Sequence, residues 1–337
     1  NEISEIQTGA FSGLLSLQTL NLAGNRLSIL RNETFKSLIS VRTLTLRNNG
    51  ILEIETGAFL GLHALEMLEL HNNKLRIFKK RIFNNLKSLQ QLKLFQNDIS
   101  VIETDALTDL QAISTFSLFS NKLTNVTENM FSNLSFLYSI DLSQNKIDMI
   151  ELGSFSNLEK CEYLSLSYNK ITHLYAGMFR GMVSLQSLRI AFNEITYVEF
   201  GAFAGLNSLR NLFISNNNLQ KTLTDICEHL FKLEFLDIRN YSMSSAHSEY
   251  TSSNEIRELC LTTRPTTVNI TVSPAEKAKQ PLSVLMISII CGCSVFVLFT
   301  ITSASVVFYK WKPKKSNDTN DDDNNDTAHP MPSTLRE

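Results

Sequence analysis

The chain has 337 residues and a near balance of charge, with 31 lysines and arginines against 33 aspartates and glutamates and a formal net charge of −2. This balance provides no concentrated basic surface, so we expect no nucleic-acid partner. The six histidines are scattered, and only five cysteines are present.

A 24-residue repeat dominates residues 1–243. Each repeat reads L-x-x-L-x-L-x-x-N-x-L, as in Leu17, Leu20, Leu22, Asn25 and Leu27. The asparagine of this string recurs at Asn25, Asn49, Asn73, Asn97, Asn121, Asn145, Asn169, Asn193 and Asn217. A second apolar set keeps the same interval at Phe11, Phe35, Phe59, Phe83, Phe131, Phe155, Phe179 and Phe203, with Leu107 and Cys227 in the two gaps. A fixed period of this size predicts a leucine-rich-repeat solenoid.

Each repeat is expected to form one turn of an α/β-type horseshoe. A short strand around Leu20 to Leu22 is followed by a bend and by an irregular return arm that carries Phe35 and Leu38. Strands of successive turns would form a parallel β-sheet on the concave face, roughly 4.8 Å apart. One turn cannot bury its leucines alone, so the stacked turns share a continuous core. The sequence predicts a partial first repeat and ten turns.

The repeated asparagine lies at the bend, where the backbone leaves the ladder and its buried polar groups lose their partners. An inward-pointing amide offers two donors and one acceptor, which satisfies both N–H and C=O groups. We therefore predict a structural role for Asn25 and its equivalents rather than a catalytic or ligand-binding one.

The chain begins at Asn1 in the middle of a repeat, and no polar cap precedes it. Solenoids need capped ends for solubility. We therefore expect that N-terminal repeats, a cap and a signal peptide precede this sequence in the whole protein.

Residues 244–281 depart from the repeat and are predicted to form an atypical C-terminal cap and a stalk rich in serine and threonine. Ser252 with Glu255 is a capping-box arrangement, which predicts a short helix over the last turn. A disulfide between Cys227 and Cys260 would tie this helix down. Sequence alone leaves the pairing open.

Residues 282–308 carry no charge, and about 20 apolar residues suffice to cross a bilayer, so we predict one transmembrane helix there. Four lysines follow it between 310 and 315, against two before it at 277 and 279. The positive-inside rule then places the C-terminus in the cytoplasm and the repeats outside, as in a single-pass type I plasma-membrane protein. The tail, residues 309–337, is rich in Asn and Asp, predicted to be disordered and too short for a signalling domain.

Five glycosylation sequons lie on the side predicted to be extracellular. They are Asn32, Asn125, Asn133, Asn240 and Asn269.

The 24-residue form resembles extracellular animal leucine-rich-repeat proteins, because it carries a Gly-Ala-Phe-x-Gly-Leu string at residues 9–14, 57–62 and 201–206. Toll-like receptor ectodomains, Slit-type guidance proteins and lamprey variable lymphocyte receptors share this form. The resemblance implies binding of a protein or a microbial molecule outside the cell, without catalysis.

Two departures from these families narrow the expectation. The usual Asn-Pro-Trp and paired-cysteine cap is replaced by Asn240-Tyr241-Ser242-Met243, and no Toll-type signalling domain follows the predicted span. We therefore expect a receptor or co-receptor that depends on partner chains for signalling. The alternative is a cell-adhesion protein that acts by homophilic or heterophilic contact. The Ser288-x-x-x-Gly292 spacing permits lateral pairing in the membrane.

Side chains between the strand leucines point onto the concave sheet, because side chains alternate along a strand. Exposed aromatic rings beside arginine resemble interface hot spots, which makes these residues candidate ligand contacts. Cross-strand stacking that only steadies the sheet explains them equally well. The candidates are Phe95, Phe119, Tyr163, Tyr168, Phe192, Phe213, Arg47 and Arg189.

An enzymatic role finds little support in the residues. Glu69 and His71 share a strand face at a spacing suited to metal ligation, but Lys93 and Phe95 on the next turn cannot complete a site of three or four ligands. The G-x-S-x-G, P-loop and H-E-x-x-H motifs are missing from the sequence. We expect no enzyme activity, no cofactor and no metal.

Overall fold

The computed structural model describes residues 1–219 and 230–239, together with the backbone of the short segments 249–250, 299–302 and 305–308. The chain divides into two compact units, Asn1–Thr267 and Val268–Glu337. Most of residues 282–308, the cap helix, the Cys227–Cys260 pair and the tail lie outside the described residues.

The larger unit is a solenoid built around one long sheet of parallel strands, as the repeat predicts. Its strands are β1 (Thr19–Asn21), β3 (Thr43–Thr45), β5 (Met67–Glu69), β7 (Gln91–Lys93), β9 (Thr115–Ser117), β11 (Ser139–Asp141), β13 (Tyr163–Ser165), β15 (Ser187–Arg189), β17 (Asn211–Phe213) and β18 (Phe235–Asp237). Neighbours pair in strict 24-residue register, from Leu20 opposite Leu44 to Leu212 opposite Leu236. About nine complete turns lie between the first and the last of these strands. The last predicted turn runs into residues 240–243, outside the described part.

Shorter strands join the turns in pairs on another side of the coil. They are β2 (Ile29–Leu30), β4 (Glu53–Ile54), β6 (Ile77–Phe78), β8 (Val101–Ile102), β10 (Asn125–Val126), β12 (Met149–Ile150), β14 (His173–Leu174) and β16 (Tyr197–Val198). They form four separate two-stranded sheets, each from two neighbouring turns: β2 with β4, β6 with β8, β10 with β12 and β14 with β16. A glutamate follows the second strand of each two-stranded sheet and accepts a hydrogen bond from a backbone N–H of the preceding turn. Glu55 accepts from Asn32 at 2.8 Å, and Glu199 accepts from Ala176 at 2.7 Å. Turns with and without this glutamate therefore alternate, a feature that the 24-residue period alone does not predict.

The core is a ladder of leucines closed by stacked phenylalanine rings. Strand leucines such as Leu44 and Leu188 are fully buried. Ring centroids lie 5.9 to 6.2 Å apart from Phe11 through Phe83 and again from Phe131 through Phe203. Where Leu107 interrupts this stack, the ring of Phe116 meets Phe131 edge-on at 6.0 Å.

The predicted structural role of the asparagines is confirmed. Asn73 is buried, and its Nδ2 donates to the carbonyls of Leu46 at 3.1 Å and Leu70 at 2.9 Å. Its Oδ1 accepts from the backbone N–H of Ile51 at 3.1 Å. One amide thus links two successive turns, and Asn97 through Asn217 repeat the arrangement.

Beyond residue 243, only strands are described. In the larger unit, β19 (Glu249–Tyr250) adds an antiparallel strand to the edge at β18. In the smaller unit, β20 (Phe299–Thr302) pairs antiparallel with β21 (Ser305–Phe308). These eight residues differ from the helix predicted for them, and their valines, threonines and phenylalanines suit strands. Among the described residues, no helix has the length and apolarity needed to cross a membrane.

Candidate ligand-binding surface

Three columns of side chains cover the concave face, because the strands repeat in register. The strand column is the last residue of each strand: Asn21, Thr45, Glu69, Lys93, Ser117, Asp141, Ser165, Arg189, Phe213 and Asp237. The middle column lies two residues later: Ala23, Arg47, His71, Phe95, Phe119, Ser143, Ser167, Ala191, Ser215 and Arg239. The outer column follows at once: Gly24, Asn48, Asn72, Gln96, Ser120, Gln144, Tyr168, Phe192 and Asn216. Every outer-column residue has a positive φ, between 54° and 65°.

A charged cluster occupies the N-terminal half of this face. Glu69 pairs with Lys93 at 2.7 Å and with Arg47 at 3.9 Å. Burial opposes its ionisation, but the hydrogen bond and charge of Lys93 hold the pKa of Glu69 below its usual value. Burial, helped by the positive charges of Arg47 and Lys93, lowers the pKa of His71 and so favours its neutral form. Arg47, one of the candidates, therefore already has a counter-ion here.

Phe95 belongs to the same cluster. Its ring stacks on His71 with centroids 4.2 Å apart and planes 18° apart. The Nδ1 atom of His71 is buried and has no hydrogen-bond partner within the described part of the chain. Here the cross-strand stacking that the sequence offered as an alternative is present.

Tyr163 lies apart from the other candidates, at the first position of β13. Its ring is tilted against Tyr138 at 5.2 Å, and a hydrogen bond between the two raises the pKa of Tyr138 to about 12. Tyr163 is therefore on the edge where the chain enters the strands, outside the three columns.

The other five candidates meet around one depression of about 650 Å³: Phe119, Tyr168, Arg189, Phe192 and Phe213. Its remaining lining is largely hydroxyl, amide and small side chains: Ser143, Gln144, Ser165, Ser167, Ala191, Ser215, Asn216, Asp237 and Arg239. The structure thus gathers most of the candidates at the C-terminal half of the concave face.

The depression exists because the middle column becomes small along four successive turns. Ser143, Ser167, Ala191 and Ser215 are all buried and form a floor between Phe119 at one end and Arg239 at the other. A prediction from large and charged side chains does not include this floor. Its signal was four small residues at the 24-residue interval.

The wall on the outer column is a strained aromatic pair. Tyr168 and Phe192 adopt φ values of 58° and 55°, and their rings stack at 4.3 Å with planes 7° apart. The left-handed conformation costs an ordinary side chain roughly 1–2 kcal/mol, and Gly and Asn tolerate it best. Other turns place Gly24, Asn48 or another polar residue in this column. The two rings, 48% and 43% exposed, occupy these positions against local preference, as residues at functional sites often do.

The opposite wall carries the positive charge. The Arg189 guanidinium lies 4.7 Å from the centre of the Phe213 ring, and across residues 1–219 and 230–239 it has no ion-pair partner. Arg239 instead grips Asp237 through two hydrogen bonds of 2.9 and 2.8 Å, and the Ser215 hydroxyl donates to the same carboxylate at 2.9 Å. Although burial opposes it, Arg239 holds the pKa of Asp237 below its usual value. Among the described lining residues, two arginines against one aspartate give one net positive charge.

The sequons that the structure describes lie off the concave columns. Asn32 and Asn133 are exposed on return arms, and Asn125 begins the short strand β10. Asn240 and Asn269 fall outside the described residues. Within the described part of the chain, no three His, Cys, Asp or Glu side chains are grouped to hold a metal ion.

Comparison with known proteins agrees with this architecture. A family model described as Leucine rich repeat matches residues 1–51, 39–99, 135–195 and 184–240. A comparison with curated proteins found no match.

Among solved structures, a chain of the TLR13–ssRNA13 complex is 27% identical with a TM-score of 0.61, over 68% of this chain and 37% of that chain. A chain of the Drosophila Toll–Spatzle complex is 23% identical with a TM-score of 0.60, over 72% and 37%. A chain of the octameric complex of Latrophilin 3, Unc5D and FLRT2 is 23% identical with a TM-score of 0.63, over 78% and 80%. This chain thus spans little more than a third of the length of the first two, and at 23% identity the likeness shows the fold alone.

Proposed function

The chain belongs to the leucine-rich repeat family, and on that premise we propose that it is a cell-surface ligand-binding receptor or co-receptor. Its extracellular solenoid recognises a protein or microbial ligand through the concave depression between Phe119 and Arg239. It is not an enzyme, and signalling depends on partner chains. Solved relatives such as Toll with Spatzle place this fold in ligand complexes, which supports the proposal at the level of the fold.

One observation carries the proposal. Tyr168 and Phe192 stack in strained backbone positions at the edge of a depression with a small-residue floor. Folding of the repeat does not require rings there, since seven other turns manage with Gly, Asn, Gln or Ser. Exposed aromatics beside arginine are typical of binding hot spots.

The proposal includes the anchoring of the chain. The uncharged segment 282–308 holds the membrane span, residues 309–337 lie in the cytoplasm, and a Cys227–Cys260 disulfide closes the solenoid. Glycans at Asn32, Asn125 and Asn133 occupy other sides of the coil, and Asn240 and Asn269 carry further glycans. The concave face is then the surface left open to a ligand. Protease digestion of intact cells tests this topology: the repeats should be cleaved and the tail protected.

A binding screen tests the site. Cells that display the full chain are probed with a panel of purified secreted proteins and receptor ectodomains. Ala191→Arg fills the floor of the depression, so binding should be lost, whereas Val183→Arg, exposed on a return arm, should leave it unchanged. A ligand that tolerates Ala191→Arg but not Val183→Arg would move the site off the concave face.

Adhesion is the second candidate, because a separate apolar patch lies on the side of the short strands. Met149, Leu152, Tyr175, Tyr197 and Phe200 are all exposed there on neighbouring turns. Such a patch is typical of a protein contact. Aggregation of beads coated with the full chain distinguishes the two: self-clustering favours adhesion, and dispersed beads favour a heterologous ligand.

A further inference from the structure

We infer that the depression binds a segment of a protein ligand that presents an apolar, preferably aromatic, side chain next to a carboxylate. The inference rests on the proposed function and specifies what the same site recognises. The Tyr168–Phe192 pair takes the apolar group, and Arg189 takes the carboxylate.

The apolar half of the site is the stacked pair and the floor beside it. The two nearly parallel rings stack at 4.3 Å, and almost half of the surface of each residue is exposed to solvent. Ala191 and the serines of the floor are too small to cover that surface, so a side chain of the ligand has room to lie against it. Burying exposed aromatic surface in this way is favourable, and aromatic pairs add to it.

Within the described lining, Arg189 is the charged half of the site. Arg239 is held by both oxygens of Asp237, so its charge is already compensated. Arg189 contacts the ring of Phe213, which supports the guanidinium from one face. Its N–H donors form no ion pair within the described residues, so they can bind a ligand. An arginine fork matches the two oxygens of a carboxylate in bidentate geometry.

The charge of the depression also argues against a phosphate backbone as the occupant. Grooves that bind single-stranded nucleic acid combine aromatic platforms with several cations along the strand. In the described part of its lining, this site has one arginine without an acidic partner, Arg189, and it also contains Asp237. The single negative charge of a carboxylate matches the net charge of the site, whereas the several negative charges of a phosphate backbone exceed it.

Two matched fragments test the inference on the full chain in detergent. N-acetyl-L-phenylalanine carries the ring and the carboxylate, and N-acetyl-L-phenylalaninamide carries the ring alone. Both are titrated by ligand-observed NMR, since fragments of this size bind with a Kd on the order of 1 mM. We expect the acid to bind about tenfold more tightly than the amide. Arg189→Gln should abolish this difference, while Arg180→Gln, an exposed arginine away from the depression, should preserve it.

Other outcomes overturn the inference. Equal binding of acid and amide would show that the site does not read the carboxylate, and binding of neither would show that the pair takes no apolar group. In both cases the proposed function is still judged by the Ala191→Arg screen. If a short oligouridine bound instead, and lost its binding with Arg189→Gln, the occupant would be a nucleic acid. Thermal melts of both arginine variants should match the wild type, and Arg189→Lys should restore part of the preference for the acid.

Discussion

Replacing both strained aromatics by asparagine separates binding from stability. In Tyr168→Asn with Phe192→Asn, each position receives a residue that tolerates the left-handed conformation, which recovers about 1 kcal/mol per position. Against this gain stand the lost ring stack, about 1 kcal/mol, and the lost partial burial of two half-exposed rings, about 2 kcal/mol together. The losses exceed the gain by about 1 kcal/mol. We therefore expect the free energy of unfolding to fall by about 1 kcal/mol, or a Tm decrease of about 3 °C.

Binding should respond very differently. Central anchors of an interface cost about 2 kcal/mol or more on removal, which corresponds to at least a 30-fold loss of affinity. The assay is a thermal melt of the double variant beside binding of N-acetyl-L-phenylalanine or of a ligand from the screen. Gln96→Asn is the control, because it changes a residue of the same column and φ outside the depression. It should keep both stability and binding.

Two results would refute this reasoning. A loss of stability above about 2 kcal/mol would show that the rings are mainly structural, as cross-strand stacking implies. Unchanged binding with unchanged stability would show that the strained pair does not mark the site.

Three further predictions concern the scaffold. Asn73→Ala removes four buried hydrogen bonds and should lower the free energy of unfolding by about 2–4 kcal/mol in a denaturant melt, whereas Asn72→Gly, at an exposed neighbour whose φ of 55° glycine tolerates, should cost under about 1 kcal/mol. Burial raises the pKa of the Cys161 thiol to about 12, so a maleimide at pH 8 should label this residue only after unfolding; labelling of the native chain at the rate of an exposed thiol would contradict its burial. The pKa of Asp237 is lower in the folded state than in the unfolded one, so its ion pair stabilises the fold above the unfolded pKa, near 4, and loses that effect as pH falls through the folded pKa. The stability difference between wild type and Asp237→Asn should therefore be largest near pH 7 and shrink below pH 4, and a pH-independent difference would contradict the ion pair.

The scaffold was predictable because its residues obey the period. Leu44, Phe59 and Asn73 each have an equivalent 24 residues away, and each contact they make is repeated on the next turn. Burial and hydrogen-bond satisfaction fix these residue types, so the pattern alone predicts solenoid, sheet and ladder. The alternation of turns escaped, because Glu55 and its equivalents recur only at every second repeat.

The depression was predictable only in part, since the period leaves the concave positions free. Phe95 and Phe119 share a column, yet Phe95 stacks on His71 and Phe119 lines the depression. Those contacts depend on the direction of each side chain and on the space left by the side chains of the neighbouring turns. Ser167 and Ala191 matter because they are small, and a search for large or charged residues passes over them. Gly24 and Asn48 are residue types that tolerate the left-handed conformation of the outer column, a sequence signal that the prediction did not use and that makes Tyr168 and Phe192 unusual there.

The most direct test of the central claim is to place a photo-crosslinking amino acid at Phe192 and, separately, at Val183 of the full chain. Each protein is irradiated with a ligand obtained from the ectodomain screen, and the adducts are identified by mass spectrometry. If the ligand binds in the concave depression, it should form an adduct with position 192 and none with position 183. An adduct from position 183 alone, with the ligand bound in both samples, would contradict it.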